Sequence, residues 1–431
     1  MFKFINGLLI NPLINKLLRY FSSNIISAGL SFISILFSAR FLSARELGIV
    51  AMFQLLVSFT TIFLSVNVDS ALSRKFFDKD YSDEELKTYC GSAIQILSFT
   101  SFIIIVLLFV AKELISELFS LESLFIFCGF FSTLFNIVIE IRLSQWRIRG
   151  NVKKFTQFQI GNSLLNLVTT FLLISFFLPN AKGRIFAILI SGLVFAFLSI
   201  LSLTRDKLYE LSKFNIIQIK EILKFGIPLI PHTLGILLLT FFDRFFIKSR
   251  LGLENTGIYV LSVQFAAVLG LLFESLNSSI MPLIYEKLNI NLEIEKRNIV
   301  KLTYRWYIIV FIIAVLLLFV SPYIINGVTS NKFLESTSAL KWLIFGQVFS
   351  GMYLMKSNYI YYAKKTNWIS IITIVSGLLN ILFCILLIDE YGISGVAIAF
   401  MISMAFRFFM TWNLANRFYP MPWFYNYKNN N

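Results

Sequence analysis

Apolar runs of roughly 20 residues recur along this whole chain, and no other feature narrows its fold so far. In lipid, a stretch of that length must satisfy its backbone polar groups internally, which makes it a spanning α-helix. About twelve such runs follow one another: Tyr20–Ala39, Leu47–Val66, Gly91–Ala111, Leu118–Ile139, Phe155–Leu178 and Ile185–Leu203, then Leu223–Ile247, Gly257–Met281, Leu302–Ser321, Ala339–Tyr361, Ile369–Ile388 and Ser394–Asn416. Residues 1–19 have no small-residue cleavage site and read as a short interfacial helix. No length remains for a sizeable soluble domain. Only 14% of residues are charged, against about 25% in soluble domains. The class is therefore all-α integral membrane protein.

The Lys and Arg count sets the orientation. With both termini inside, the inner segments hold roughly 26 of these residues and the outer segments roughly 10. The net charge of +15 then reads as loop cations that hold topology, with no nucleic-acid partner. Cys90, Cys128 and Cys384 are an odd set beside apolar runs and read as packing residues. No metal-ligand spacing appears, and neither metal nor cofactor is expected.

The two halves resemble each other. Gly48 and Gly257 differ by 209 positions (257 − 48 = 209), and so do Gly183 and Gly392. Ser163-Leu164-Leu165-Asn166 matches Gly377-Leu378-Leu379-Asn380 at a slightly larger offset (380 − 166 = 214). Six spans per half give both halves one orientation, so they read as parallel repeats around a central cavity. The divisions are an interfacial segment 1–19, lobes 20–209 and 210–416, and a cytoplasmic tail 417–431.

The seventh span departs from a plain anchor. It carries Pro228 and Pro231 one turn apart, then His232, then the acid–base pair Asp243–Arg244. Charges within a span are costly and usually face a bundle interior or a water-filled cavity. Proline removes a backbone donor and obstructs the preceding turn, which predicts a weak point in this helix.

With these motifs in order, the chain is similar to bacterial polysaccharide flippases. These are the O-antigen (Wzx-type) exporters of the multidrug/oligosaccharidyl-lipid/polysaccharide superfamily. The resemblance rests on F-G-I-P-L-I-P, F-F-D-R-F-F-I and L-G-L-E-N-T-G-I-Y around spans seven and eight. In the first half it rests on A-R-F-L-S-A-R-E-L-G-I-V and A-L-S-R-K-F, and near the end on Y-Y-A-K-K-T-N-W and Y-G-I-S-G-V-A-I-A. It implies translocation of an undecaprenyl-pyrophosphate-linked oligosaccharide across the inner membrane, in O-antigen or lipopolysaccharide assembly. Polysaccharide polymerase and glycosyltransferases are the partners it implies.

A pyrophosphate calls for cations. The candidates are Arg40, Arg74, Arg244, Lys248, Lys356 and Arg407. For Arg40 and Lys248 the alternative is snorkelling to the interface, and for Arg244 it is a local pair with Asp243. Arg74 has lipid-headgroup contact as its alternative. His232, Asp243, Glu140 and Glu274 are candidates for ion coupling, with helix packing or pairing to nearby cations as the alternative. Pro228 and Pro231 are candidates for gating. The aromatic Trp423-Phe424-Tyr425 reads as an interface anchor. A drug/cation antiporter on the same fold is the closest rival, although few intramembrane carboxylates are present to couple it. An enzyme is not expected, since no Ser/His/Asp set or carboxylate pair appears.

Overall fold

The computed structural model describes residues 12–76, 82–290, 292–329, 333 and 335–423, and every regular element among them is helical. The first half holds α1 (Pro12–Phe41), α2 (Ala44–Ser65), α3 (Val68–Phe76), α4 (Asp83–Val110), α5 (Lys112–Phe119), α6 (Ser123–Ile148), α7 (Val152–Leu172) and α8 (Ala181–Arg205). The second holds α9 (Ile216–Gly226), α10 (Ile230–Thr240), α11 (Asp243–Ile290), α12 (Glu293–Thr329), α13 (Ser336–Tyr362) and α14 (Thr366–Phe418). Local chemistry fixes several starts. Ser43 with Glu46 and Ser82 with Glu85 form reciprocal capping boxes at α2 and α4. Asn151, Asn180 and Asn215 cap α7, α8 and α9 with side-chain oxygens.

Among the described residues, nine helical stretches are long and apolar enough to cross a membrane. Two of them, Ile216–Ser278 and Thr366–Phe418, have 63 and 53 residues. At about 1.5 Å per residue each exceeds one crossing of a core about 30 Å thick. Each turns at a left-handed glycine, Gly252 (φ 86°) or Gly392 (φ 56°), where a side chain would be strained. With α13 at 27 residues, the twelve spans read from the sequence are all accommodated. Residues 12–19 run into the first span without a break, so only residues 1–11 of the expected interfacial segment lie outside the described chain. Large apolar side chains such as Phe102, Phe176 and Phe197 stand exposed along these helices, as lipid-facing positions require.

The chain divides into two compact units. Unit 1 is Met1–Leu237 with Gly252–Gly257, and unit 2 is Leu238–Leu251 with Ile258–Asn431. Helix α9 and most of α10 group with unit 1, past the 209–210 division read from the sequence. Within unit 1, α1 packs on α7, and α6 packs on α2 and α8. Ile139, Leu143, Trp146, Phe155 and Phe195 form a buried cluster there. Gly257 sits against the backbone carbonyl of Ala44, too close for any side chain. Within unit 2, α14 packs along α13, and α13 packs on α12.

Candidate functional site

The seventh span breaks twice. A 3-10 turn at Ile227–Leu229 follows Gly226, and a second turn at Phe241–Phe242 precedes α11. The first lies at Pro228, where the sequence predicts a weak point. Asn67 Nδ2 donates to the freed carbonyl of Gly226 at 3.2 Å. The second break falls beside the Asp243–Arg244 pair and explains it. Asp243 accepts from the Arg244 amide at 2.8 Å and from the Tyr259 hydroxyl at 2.7 Å. Arg244 donates to the open carbonyl of Thr240 at 2.6 Å. Both side chains are buried. Between them they cap a break that bilayer hydrocarbon would otherwise leave unsatisfied.

At one end of unit 1, segments distant in sequence meet. Arg149 lies over Phe76 at 5.2 Å, Ser73 and Ser144 share a 2.6 Å hydrogen bond, and Arg142 pairs with Asp206. Lys75 pairs with Glu221 at 2.5 Å. These residues all come from segments that the charge count puts on one side. Beside them opens a cavity of about 460 Å³ lined by Arg74, Lys75, Tyr89, Glu221, Lys224, Phe225 and Pro228. Arg74 is exposed and lies over Phe225 at 5.0 Å. Glu221 is taken up by Lys75, so two cations of the cavity, Arg74 and Lys224, have no carboxylate against them among the described residues. The arrangement suits an anion bearing more than one negative charge. Lys75 and Lys224 count only as loop cations in the sequence, and nothing there singles out Glu221. What was missing was the fold of α3 against α9, which puts them together.

Other candidate residues are placed separately. Arg40 is exposed in the last turn of α1, where a cation complements the helix dipole. Lys248 is half-buried in unit 2. Glu140 is exposed on α6, within electrostatic reach of Asp69 and Arg147. His232 and Pro231 follow the 3-10 turn, His232 half-buried and Pro231 exposed. In unit 2, Glu274 and Arg407 come within electrostatic reach of each other. Arg407 also lies over the Tyr353 ring at 4.0 Å and donates to Thr373 at 3.3 Å.

Lys356 is 0% exposed. Its ammonium sits 3.8 Å from the Trp412 ring centre and 2.9 Å from that of Trp423, with no hydrogen-bond acceptor among the described residues. An aromatic cage, in place of an open cavity, surrounds this cation. Trp423 is held there by its indole N–H on Asn416 and by the Tyr304 hydroxyl on its carbonyl. Trp423, read from the sequence as an interface anchor, is buried within the protein against this cation. Phe424 and Tyr425 lie outside the described residues.

Comparison with known proteins places this geometry. Residues 13–287 match the family described as polysaccharide biosynthesis protein. A protein of the Lsg locus of Haemophilus influenzae is 23% identical over 358 residues, covering 81% of this chain and 85% of that protein. Among solved structures, an inward-facing multidrug resistance MATE family transporter of the MOP superfamily superposes with a TM-score of 0.73 at 14% identity, covering 93% of this chain and 94% of the other. The lipid II flippase MurJ, in an inward closed conformation, gives 0.70 at 19% identity over 92% and 86%. The fold is therefore that of these transporters.

Proposed function

The chain belongs to the polysaccharide biosynthesis protein family, and from that premise we propose that it is a lipid-linked oligosaccharide flippase. Its substrate is an undecaprenyl-pyrophosphate-linked repeat unit, carried across the cytoplasmic membrane by alternating access. The observation that carries this reading is the cavity holding Arg74 and Lys224, whose two uncompensated cations match a diphosphate. Arg407 with Glu274, and Asp243 with Arg244, are further polar positions for substrate or ion contact in unit 2. Polymerase and glycosyltransferases of the same assembly line are the partners.

The test is flipping of a fluorescent lipid-linked oligosaccharide in proteoliposomes. The double variant Arg74→Glu/Lys224→Glu is expected to lower the rate more than tenfold with the fold intact. An unchanged rate would remove the cavity from the mechanism. A drug/cation antiporter is the second reading, favoured by the likeness to a MATE transporter and the buried carboxylate of Asp243. It is selected instead if the wild-type protein moves organic cations and no lipid-linked sugar. The orientation proposed, with both termini cytoplasmic, requires an external thiol probe to label a cysteine at Asn255 and spare one at Asn151.

A further inference from the structure

Unit 1 carries two apolar grooves of nearly equal size whose ends differ in charge. The first, about 530 Å³, runs between α4, α6 and α8, with Ser101, Phe135, Ala196, Phe197 and Ile200 among its walls. Phe197 and Leu193 stand exposed at its mouth. The second, about 520 Å³, lies between α2, α4 and α5 and is walled by Phe59, Phe63 and Ile104. Both volumes are ample for a small-molecule site, which typically takes about 300–1,000 Å³.

One end of the first groove is closed by the segment after α8, which contributes Tyr209 and Leu211 to the lining. That segment is firmly tied down. Gln95 Nε2 donates to the carbonyls of Leu211 and Lys213 at 3.1 and 3.3 Å. The Glu210 amide donates to the Lys87 carbonyl at 3.1 Å, and Tyr209 and Thr204 share a 2.8 Å hydroxyl contact. Its carboxylates are already occupied. Asp206 pairs with the buried Arg142, and Glu210 pairs with Lys213 at 3.4 Å. The Ser212 hydroxyl and Lys213 hold the Glu210 carboxyl below its ordinary range, so it stays ionised and keeps Lys213 neutralised. Arg205 and Lys207 are left exposed, with no carboxylate partner among the described residues. The second groove ends instead on α5, whose Lys112, Glu113 and Glu117 sum to a negative charge.

We propose that the α4/α6/α8 groove is a binding site for an anionic phospholipid, with an acyl chain along the groove and the phosphate at Arg205 and Lys207. Charge complementarity selects this occupant. Two cations favour a headgroup of net negative charge over a zwitterion, whose ammonium they repel. At the contribution usual for a basic residue beside anionic lipid, two such residues give a preference of about tenfold or more. The second groove offers the same apolar walls without that reward. This site is independent of the transport reading, because neither Arg205 nor Lys207 lines the Arg74 cavity.

The test is native mass spectrometry of the full chain in detergent, titrated with phosphatidylglycerol or phosphatidylethanolamine. Phosphatidylglycerol adducts are expected at about tenfold lower lipid concentration. Arg205→Glu/Lys207→Glu, at exposed positions that leave the fold intact, is expected to erase the difference, and Lys112→Glu to leave it unchanged. Ala196→Trp, which fills the groove, is expected to reduce adducts of both lipids. Equal retention of the two lipids overturns the proposal, as does a preference that survives the double variant. A protein dimer that excludes lipid adducts assigns the groove to a second copy and overturns it as well.

Discussion

Arg142 in unit 1 and Lys356 in unit 2 hold matching places in the repeat, 214 positions apart, as Asn166 and Asn380 are. Both are 0% exposed, and the two units deal with the buried charge differently. Arg142 pairs with the carboxylate of Asp206 and lies over Trp146 at 4.1 Å. Lys356 has no described carboxylate and rests on two indole faces. A second matching pair repeats the contrast with the charge reversed. In unit 1, Ser34 donates to Thr170 at 3.2 Å, and Arg184 donates to Asn166 and Thr170 at 2.8 and 2.5 Å, with no carboxylate partner among the described residues. In unit 2 the position matching Ser34 is Asp243, held by Arg244 and Tyr259, while Asn380 and Cys384 match Asn166 and Thr170. One architecture therefore tolerates a charge by ion pairing at one copy of a site and by neutral or aromatic contact at the other. The repeat conserves the polar location and leaves its chemistry free.

The largest effect is expected at Asp243. Replacing it with Ala strands Arg244 in an apolar interior, and losing one partner of a buried pair costs about 3–5 kcal/mol. Denaturant unfolding in micelles measures this, and a cost below about 1 kcal/mol would mean that water already reaches Arg244.

Asp206→Ala comes next, at about 2–3 kcal/mol, less because this carboxylate is 33% exposed and water can partly replace it. The same assay on Lys356→Met should show a change of less than about 1 kcal/mol, since no described carboxylate is left behind. Equal costs for the two variants would break the comparison and give Lys356 an ionic partner.

Trp423→Phe keeps a ring and weakens the cation–π contact, for about 1 kcal/mol. In a Lys356→Met background the same change should cost less, and a double-mutant cycle with no coupling would show that the indole only packs. The smallest effect is expected at Ser34→Ala, about 0.6 kcal/mol, the usual worth of a hydrogen bond within a membrane bundle. A loss approaching that of Asp243→Ala would mean that Ser34 holds Arg184 in place through Thr170.

Composition and run length were enough to determine the membrane class and the spans, because hydrocarbon requires each crossing to satisfy its own backbone, and glycines 209 positions apart marked the repeat. The prolines located a weak point in the seventh span for an equally local reason. A sequence does not carry the distances between remote residues. Arg142 meets Asp206 across 64 positions, and Lys75, Lys224 and Glu221 become one cavity wall only when α3 lies against α9. Lys356 read as a cavity cation because its cage is built from Trp412 and from Trp423 beyond the last helix. Asp243 and Arg244 read as a bare pair because the helix break they cap depends on the fold around it. The energy of a buried charge is set by whatever surrounds it within a few ångströms, and in this chain those neighbours come from other helices.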